Sequence, residues 1–179
     1  MTSTVSLVIG GCRSGKSRHA LTLAHRRPGT PLVYVATCEP KDAEMRRRVA
    51  RHQAERGDRW RTVEEPVRLP ETLDRWRQQA AVILVDCLTL WISNLMLAPA
   101  GAPPVAEATD RLLKALSQNG CPVILVSNEV GAGIVPENAL ARDYRDQVGT
   151  VNQAVAACAQ TVVWMVAGIP VAVKGTCDP

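Results

Sequence analysis

The sequence predicts one open α/β domain whose mostly parallel sheet carries helices on both faces. Two observations point to this fold class. Five short, nearly continuous apolar runs recur along the chain, and the segments between them are long enough for helices. Unbroken rather than alternating apolarity is typical of parallel strands that are covered on both faces. The length of 179 residues is that of a single domain with a substantial core, so residues 1–179 are expected to form one unit.

The apolar runs are residues 5–9, 32–36, 82–85, 123–126 and 162–166. An Ala- and Leu-rich segment around residues 20–24 predicts a helix after the first run. Residues 42–56 predict another helix, because acidic residues begin it and a glycine ends it. The stretch 99–104, rich in Pro and Gly, predicts a surface loop rather than a domain boundary. The tail at 170–174 follows a glycine turn and predicts an antiparallel edge strand.

A phosphate-loop pattern, G-x-x-x-x-G-K-S, lies between the first strand and the first helix. Its residues are Gly10, Gly11, Cys12, Arg13, Ser14, Gly15, Lys16 and Ser17. Such a loop wraps backbone N–H groups around the phosphates of a nucleotide, next to the positive end of the following helix. Lys16, facing solvent, is expected to reach the β- and γ-phosphates, and the Ser17 hydroxyl to ligate Mg²⁺. A glycine-rich turn is the alternative, but the strand before the pattern and the helix after it favour binding of a nucleoside triphosphate.

Acidic residues stand at two informative places. Asp86 closes the apolar run 82–85, at the carboxyl end of a predicted strand. Phosphate-loop proteins place a carboxylate there, beside the Mg²⁺, either directly or through water. A solvated or helix-capping Asp is the alternative, and the company of the phosphate loop favours the metal role. The roles of Glu64 and Glu65 are left open, because either residue could bind a ribose hydroxyl or be exposed to solvent.

His52 lies on the apolar face of the helix predicted over residues 42–56. Met45, Val49 and His52 share that face by helical spacing, which turns the histidine toward the protein body or a partner subunit. On this spacing alone, a packed histidine without a chemical role is favoured. The arginines between residues 46 and 61 carry much of the net charge of +4. They are interpreted as a solvated helix face, a nucleic-acid patch or a clamp for phosphates.

Composition and missing motifs narrow the class of nucleotide-binding protein. Aromatic residues make up 3 % of the chain and Phe is missing, which argues against stacking platforms for single-stranded nucleic acid. A GTPase switch needs an N-K-x-D motif, and the nearest candidate, residues 127–130, lacks both the Lys and the Asp. The signature sequence of transport ATPases is also missing. A small-molecule nucleotide transferase without a nucleic-acid partner remains.

The compartment is predicted from what the sequence lacks. No apolar run approaches the ~20 residues of a membrane span. The N-terminus has neither the basic region nor the long apolar stretch of a signal peptide, so a cytoplasmic protein is expected. Six cysteines form no C-x-x-C pair, and neither a zinc site nor a redox motif is indicated.

Motifs along nearly the whole chain resemble the bifunctional adenosylcobinamide kinase/adenosylcobinamide-phosphate guanylyltransferase family of cobalamin biosynthesis. Besides the phosphate loop, the resemblance rests on residues 36–40 (ATCEP), 42–45 (DAEM), 51–52 (RH), 60–66 (WRTVEEP), 86–95 (DCLTLWISNL) and 127–138 (SNEVGAGIVPEN). The phosphate loop alone is generic, whereas the last two segments and the His52 helix are specific to the family. Departures are small: Cys12 replaces a usual Ala, and Leu21 stands where an acidic residue is common.

The resemblance implies two reactions. The γ-phosphoryl of ATP or GTP passes to the hydroxyl of the aminopropanol arm of adenosylcobinamide. GMP is then transferred from GTP to that phosphate through a covalent GMP–histidine intermediate. His52 stands at the position of the family's histidine. This overturns the packed-histidine interpretation, and the neighbouring arginines then lower the pKa of the imidazole and neutralise charge at the α-phosphate. By the same resemblance, the GTP site also includes Ala36, Thr37, Cys38, Gln53, Ala54, Glu55, Arg56, Glu64 and Asp86.

We therefore predict a RecA-like phosphate-loop enzyme with Mg²⁺ or Mn²⁺ at Ser17 and Asp86. The family resemblance suggests a homotrimer with sites near subunit interfaces, which would accommodate a corrinoid too large for a pocket inside 179 residues. One alternative is a single-activity phosphate-loop kinase for another small-molecule alcohol, in which His52 is structural. A second is a nucleotide-gated binding or regulatory protein without turnover.

Overall fold

The computed structural model describes residues 4–38 and 57–176, which form a seven-stranded sheet flanked by helices. The strands are β1 (Val5–Gly10), β2 (Leu32–Ala36), β3 (Trp60–Glu64), β4 (Val82–Asp86), β5 (Val123–Asn128), β6 (Thr161–Val166) and β7 (Ile169–Lys174). Their order across the sheet is β3-β2-β4-β5-β1-β6-β7. All neighbouring pairs are parallel except β6 and β7, which form an antiparallel pair at one edge. The predicted fold class is confirmed.

Five helices connect the described strands. They are α1 (Lys16–His25), α2 (Leu69–Trp76), α3 (Leu88–Met96), α4 (Val105–Ser117) and α5 (Ala139–Cys158). Ala20 and Ala24 of α1 pack into one core cluster, and the other four helices contribute side chains such as Trp91 and Leu112 to a second. The sheet is thus covered on both faces. The helix predicted over residues 42–56 lies outside the described residues.

Burial of the central strands follows from their unbroken apolar sequences. Every residue of β2 is buried, and so are the first four of the five residues of β4. Because successive side chains of a strand point to opposite faces, Leu32 and Val33 enter different core clusters. The same strands therefore support two cores. Because they are parallel, their carboxyl ends lie together along one side of the sheet, the carboxyl edge, which is distinct from the edge strands β3 and β7.

The two edge strands differ in how well the sequence predicts them. The antiparallel edge strand expected at residues 170–174 is confirmed as β7. Strand β3 was not predicted, because its sequence WRTVE mixes charged and apolar residues and its side chains are exposed or half-buried. An edge strand needs no apolar run, since one of its sides faces solvent. Across the residues described here, no helix combines the length and the apolarity needed to cross a membrane.

Candidate functional site

The phosphate loop joins β1 to α1 at the carboxyl edge of the sheet. A Cβ on Gly10 would lie 2.6 Å from Ser14 Oγ and 2.8 Å from the carbonyl oxygen of Met165, so the close packing there requires glycine. Gly15 has a φ of 91°, in the left-handed region that favours glycine, and leads directly into α1. Arg13 also has a positive φ, of 55°. The sequence pattern therefore has a steric basis at both glycines.

Backbone hydrogen bonds hold the loop from three sides. The N–H of Ser14 donates to the carbonyl of Gly11 at 3.3 Å within the loop. The N–H of Gly168, in the turn between β6 and β7, donates to the carbonyl of Ser14 at 3.0 Å. On the side of β5, the N–H of Glu129 donates to the carbonyl of Gly10 at 3.1 Å. The shape of the loop is therefore fixed by its neighbours in the sheet.

Lys16 is enclosed by this loop. Its Nζ donates to the carbonyl oxygen of Gly11 at 3.0 Å, and the residue is only 9 % exposed. The expectation that Lys16 faces solvent is wrong, because the loop folds around the lysine stem and supplies an acceptor for the ammonium group. A charged group buried in this way needs such a partner. The lysine is thus held inside the loop, with its charge at the centre of the loop's backbone.

Asp86 is held at the end of β4, two strands from the phosphate loop. The hydroxyl of Tyr34, on β2, donates to Asp86 Oδ2 at 3.0 Å and orients the carboxylate. Burial, followed by the charge of Asp86, raises the pKa of the adjacent Cys87 thiol to about 11, while the charge of Lys16 acts in the opposite direction. Both charges therefore act on the same point of the sheet edge. Cys87 stays a protonated thiol at neutral pH and is a poor nucleophile.

Thr37 ties the ends of β2 and β4 together. Its hydroxyl donates to the carbonyl of Cys87 and accepts from the N–H of Cys87, both at 2.8 Å. The amide of Asn94 donates to the carbonyl of Thr37 at 2.8 Å and to that of Pro66 at 3.0 Å. Thr37 is fully buried, so its side chain positions the site edge, and the half-buried Cys38 follows it at the rim.

The two glutamates after the basic segment have different environments. Glu65 Oε1 accepts from the N–H of Val67 at 3.0 Å and of Arg68 at 2.7 Å, directly before α2. This carboxylate therefore satisfies free backbone donors near the helix start. Glu64 is exposed at the end of β3 and aligns with Ala36, which in turn aligns with Asp86. The sheet thus brings Glu64, Ala36 and Asp86 to one edge.

The structure brings together the predicted site residues that it describes, at the ends of β1 to β4. These are residues 10–17 and 36–38, with Glu64 and Asp86. His52 and residues 53–56 lie outside the described residues, so their roles stay predictions. Within 4–38 and 57–176, no group of three or more His, Cys, Asp and Glu is placed to hold a metal ion.

A hydrogen-bonded chain beside the phosphate loop was missed by the sequence analysis. Asn128 ends β5 and aligns with Gly10, and its side chain donates to Thr89 Oγ1 at 2.7 Å. The hydroxyl of Tyr144, on α5, donates to the carbonyl of Thr89 at 3.2 Å. A polar residue ending an apolar run was the signal at Asn128, as it was at Asp86. Tyr144 gives no such signal, because its contact is 55 residues away in the chain.

Comparison with known proteins agrees with this geometry. Residues 6–173 match the family model described as cobinamide kinase / cobinamide phosphate guanyltransferase. The chain is 44 % identical over 171 residues to the bifunctional adenosylcobalamin biosynthesis protein CobP of Pseudomonas aeruginosa, covering 94 % of this chain and 96 % of the relative. It is 40 % identical over 180 residues to the bifunctional adenosylcobalamin biosynthesis protein CobU of Escherichia coli, covering 94 % and 98 %.

Similar solved structures agree on the fold. The flagellar accessory protein FlaH from Methanocaldococcus jannaschii has a TM-score of 0.54 at 13 % identity, covering 96 % of this chain and 78 % of FlaH. The P4 protein of bacteriophage phi13 has a TM-score of 0.51 at 15 % identity, covering 94 % and 53 %. These likenesses show a RecA-like phosphate-loop fold and nothing about the substrate. The family model and the two relatives show more: the chain belongs to the cobinamide kinase / cobinamide phosphate guanyltransferase family.

Proposed function

We propose that this enzyme phosphorylates the aminopropanol hydroxyl of adenosylcobinamide with ATP or GTP and then transfers GMP from GTP to that phosphate. The observation that carries the proposal is the enclosed Lys16 at the start of α1, at the same carboxyl edge of the sheet where β4 ends in the oriented carboxylate of Asp86. The relatives are named as bifunctional proteins, which supports two activities in one chain. A cytoplasmic location is part of the proposal, since both nucleotide substrates are available there.

Two features of the phosphate loop support nucleotide binding there. The hydroxyl of Ser14 is buried and has no hydrogen-bond partner among the described residues. A buried polar group of this kind is costly unless a ligand or water satisfies it. Among the described residues, the ammonium group of Lys16 has only a backbone carbonyl as its hydrogen-bond partner, so phosphate oxygens are a stronger alternative. The charge on the transferred phosphoryl group would be stabilised at this position.

Mg²⁺ or Mn²⁺ would be held by Ser17 and Asp86. The donor set fits a hard cation, because it consists of a hydroxyl and a carboxylate, with phosphate oxygens and water completing the shell. Ser17 lies in the first turn of α1 and Asp86 ends β4, so both belong to the same sheet edge. The metal would neutralise charge on the phosphates. Tyr34 keeps the Asp86 carboxylate in a fixed orientation toward that edge.

Guanylyl transfer is assigned to His52. An imidazole nitrogen forms a bond to the α-phosphorus of GTP while the bond to pyrophosphate breaks. A phosphate oxygen of the phosphorylated corrinoid then attacks the same phosphorus and releases the imidazole. Gln53, Ala54, Glu55 and Arg56 follow His52 directly and would line the nucleotide, with Ala36, Cys38 and Glu64 at the strand ends.

One experiment tests the proposed function as a whole. Pure protein is incubated with GTP labelled at the α-phosphate, and covalent label is measured after denaturation. In parallel, transfer of γ-label from ATP to adenosylcobinamide is followed. Both labels are expected to be transferred. A single-activity kinase would phosphorylate an alcohol without covalent label, and a binding protein without turnover would do neither.

Asp86→Asn is expected to raise the Mg²⁺ concentration needed for half-maximal turnover several-fold. The substitution removes one negative charge from the metal side of the site. Asn retains an oxygen that can accept from the Tyr34 hydroxyl, so the thermal unfolding midpoint should change little. Titration of MgCl₂ against kinase turnover measures the effect. An unchanged metal requirement in a folded variant would remove Asp86 from the metal site.

We propose the homotrimer from the family resemblance, and the β7 edge offers a surface for the subunit contact. All six residues of β7 are exposed, the apolar side chains there include Ile169, Val171 and the β6 residue Trp164, and no strand among the described residues pairs with the outer side of β7. Proteins usually cover or charge such an edge. Val171, 45 % exposed, can be changed without disturbing the core. By light scattering, the wild-type protein should have three times the 19.3 kDa mass of one chain, and Val171→Lys should reduce it. A wild-type mass of one chain would contradict the trimer.

A further inference from the structure

A pocket opens between the end of α3 and the start of α5, beside the phosphate-loop edge. Its volume is about 230 Å³, and much of its lining is apolar, from Met96, Leu97, Leu140 and Ala141. Leu97 and Leu140, which both line the pocket, are 63 % and 53 % exposed. Pockets of this kind, apolar with a few polar groups, are typical of small-molecule sites.

The loop that leads into this pocket is held rigidly with apolar side chains outward. Arg145, on α5, donates to the carbonyls of Gly131 and Ile134, and Arg142 donates to those of Pro136 and Glu137. Ile134 itself is 96 % exposed. Two arginines therefore fix a loop whose most apolar side chain is almost fully exposed. The loop ends at Asn138, whose Oδ1 caps α5 by accepting from the N–H of Ala141 at 3.1 Å.

Hydrogen bonds connect one side of the pocket to the strand that lies beside the phosphate loop. Tyr144 lines the pocket and donates to the carbonyl of Thr89, whose hydroxyl accepts from Asn128. Asn128 aligns with Gly10, the first residue of the phosphate loop. Tyr144, Thr89 and Asn128 thus connect the pocket to the position on β5 beside Gly10, at the edge where the proposed γ-phosphoryl transfer takes place. A substrate seated here can extend a hydroxyl-bearing arm toward that edge.

The side chains that line the pocket suit a corrinoid better than a nucleotide. None of the described side chains that line the pocket is charged, and their polar groups are the hydroxyls of Ser93 and Tyr144 and the amide of Asn138. A nucleotide would need cations for its phosphates, so this is not a second nucleotide site. A corrinoid has a rim of methyl groups and neutral amides, which matches an apolar wall with hydroxyl and amide partners.

We propose that this pocket binds the rim of the corrinoid acceptor and that Ile134 and the fixed loop support the part of the macrocycle lying outside it. The volume admits an edge of the ring and not the whole ring, so the rest must lie over the surrounding surface. The segments 86–95 and 127–138, which the nucleotide chemistry leaves largely without a role, supply the lining at Ser93 and Asn138 and the fixed loop. The assignment rests on the proposed function, since it names the acceptor subsite of the same reaction.

Two substitutions separate the acceptor from the nucleotide. Leu97→Gln replaces an exposed apolar wall residue, and Ala141→Leu fills the pocket with a good helix former. Each is expected to raise the KM for adenosylcobinamide about tenfold in the kinase reaction, the effect of losing one apolar side-chain contact. The KM for ATP and the covalent uptake of GMP, which needs no corrinoid, should stay at wild-type values. Neither residue is part of the buried core, so both variants should fold.

Thr150→Gln is the matched control, because Thr150 is exposed on the same helix, outside the pocket lining. It should leave the KM for adenosylcobinamide unchanged. If both pocket variants also leave that KM unchanged while GMP uptake is normal, the pocket assignment is overturned and the proposed function stands. If the variants lower the mass of the oligomer, the surface is a subunit contact, which also overturns the assignment. Failure of the wild-type protein to take up GMP would instead overturn the proposed function.

Discussion

His52→Ala is expected to abolish covalent uptake of GMP from GTP while the protein still phosphorylates adenosylcobinamide. The imidazole is the proposed nucleophile toward the α-phosphorus, whereas the proposed γ-phosphoryl transfer uses the phosphate loop and Asp86. The intermediate is a phosphoramidate, so the label on the wild-type protein should survive base and be released by acid. Incubation with α-labelled GTP followed by acid or base treatment measures it. Loss should be complete, because no second group replaces a covalent nucleophile.

The other two histidines give matched controls with different environments. Burial, aided by the charge of Arg26, lowers the pKa of His19, which favours a neutral imidazole at pH 7 and makes it the sharper control. His25 Nε2 accepts a hydrogen bond from Trp60 Nε1 at 2.8 Å, so that nitrogen is already occupied. His19→Ala and His25→Ala should both retain the acid-labile label. Label on His52→Ala, or its loss in His19→Ala alone, would make the assignment wrong.

The sequence predicts the fold well because burial on both faces leaves a simple pattern. The unbroken apolar runs of β2, β4 and β5 could be assigned as parallel strands before their partners were known. Strand β3 has no such pattern, because an edge position allows exposed and charged side chains. Its pairing with β2 depends on tertiary structure, and the residue types between Trp60 and Glu64 do not indicate it. Patterning therefore predicts the central strands of this sheet, and the edge strand β7 with its preceding glycine turn, better than the edge strand β3.

Prediction of the site follows a similar rule. Gly10, Gly15 and Asp86 could be found from sequence because a turn or a strand end demands their residue types at fixed positions. The hydrogen bonds between Thr37 and Cys87 join residues 50 positions apart in the sequence, and only the folded sheet brings these residues together. The same holds for Tyr144, whose role depends on how α5 packs against α3. The expectation that Lys16 faces solvent was wrong, because the sequence pattern defines a phosphate loop but does not show that its backbone closes around the lysine.

Lys16→Ala is expected to reduce turnover in the phosphorylation of adenosylcobinamide by about 10²–10³-fold, the usual cost of removing one preorganised donor from a developing charge. The fold should survive, because among the described residues the ammonium group makes one hydrogen bond, to the carbonyl of Gly11, and a hydrogen bond of a charged group contributes about 1.5–3 kcal/mol. Alanine is also favourable in the first turn of α1. Initial rates with γ-labelled ATP measure turnover, and the thermal unfolding midpoint reports on the fold.

Lys114→Ala separates loss of this particular ammonium group from loss of any positive charge. Lys114 is exposed in the last turn of α4, so its removal changes the net charge equally without touching the phosphate loop. That variant should retain wild-type turnover. Lys16→Ala should also lose GMP uptake, because in the proposed reaction the same lysine would hold the β- and γ-phosphates that leave as pyrophosphate. Normal turnover in a folded Lys16→Ala protein would mean that the ammonium group is held by Gly11 for structure alone, and that the reacting phosphates lie elsewhere.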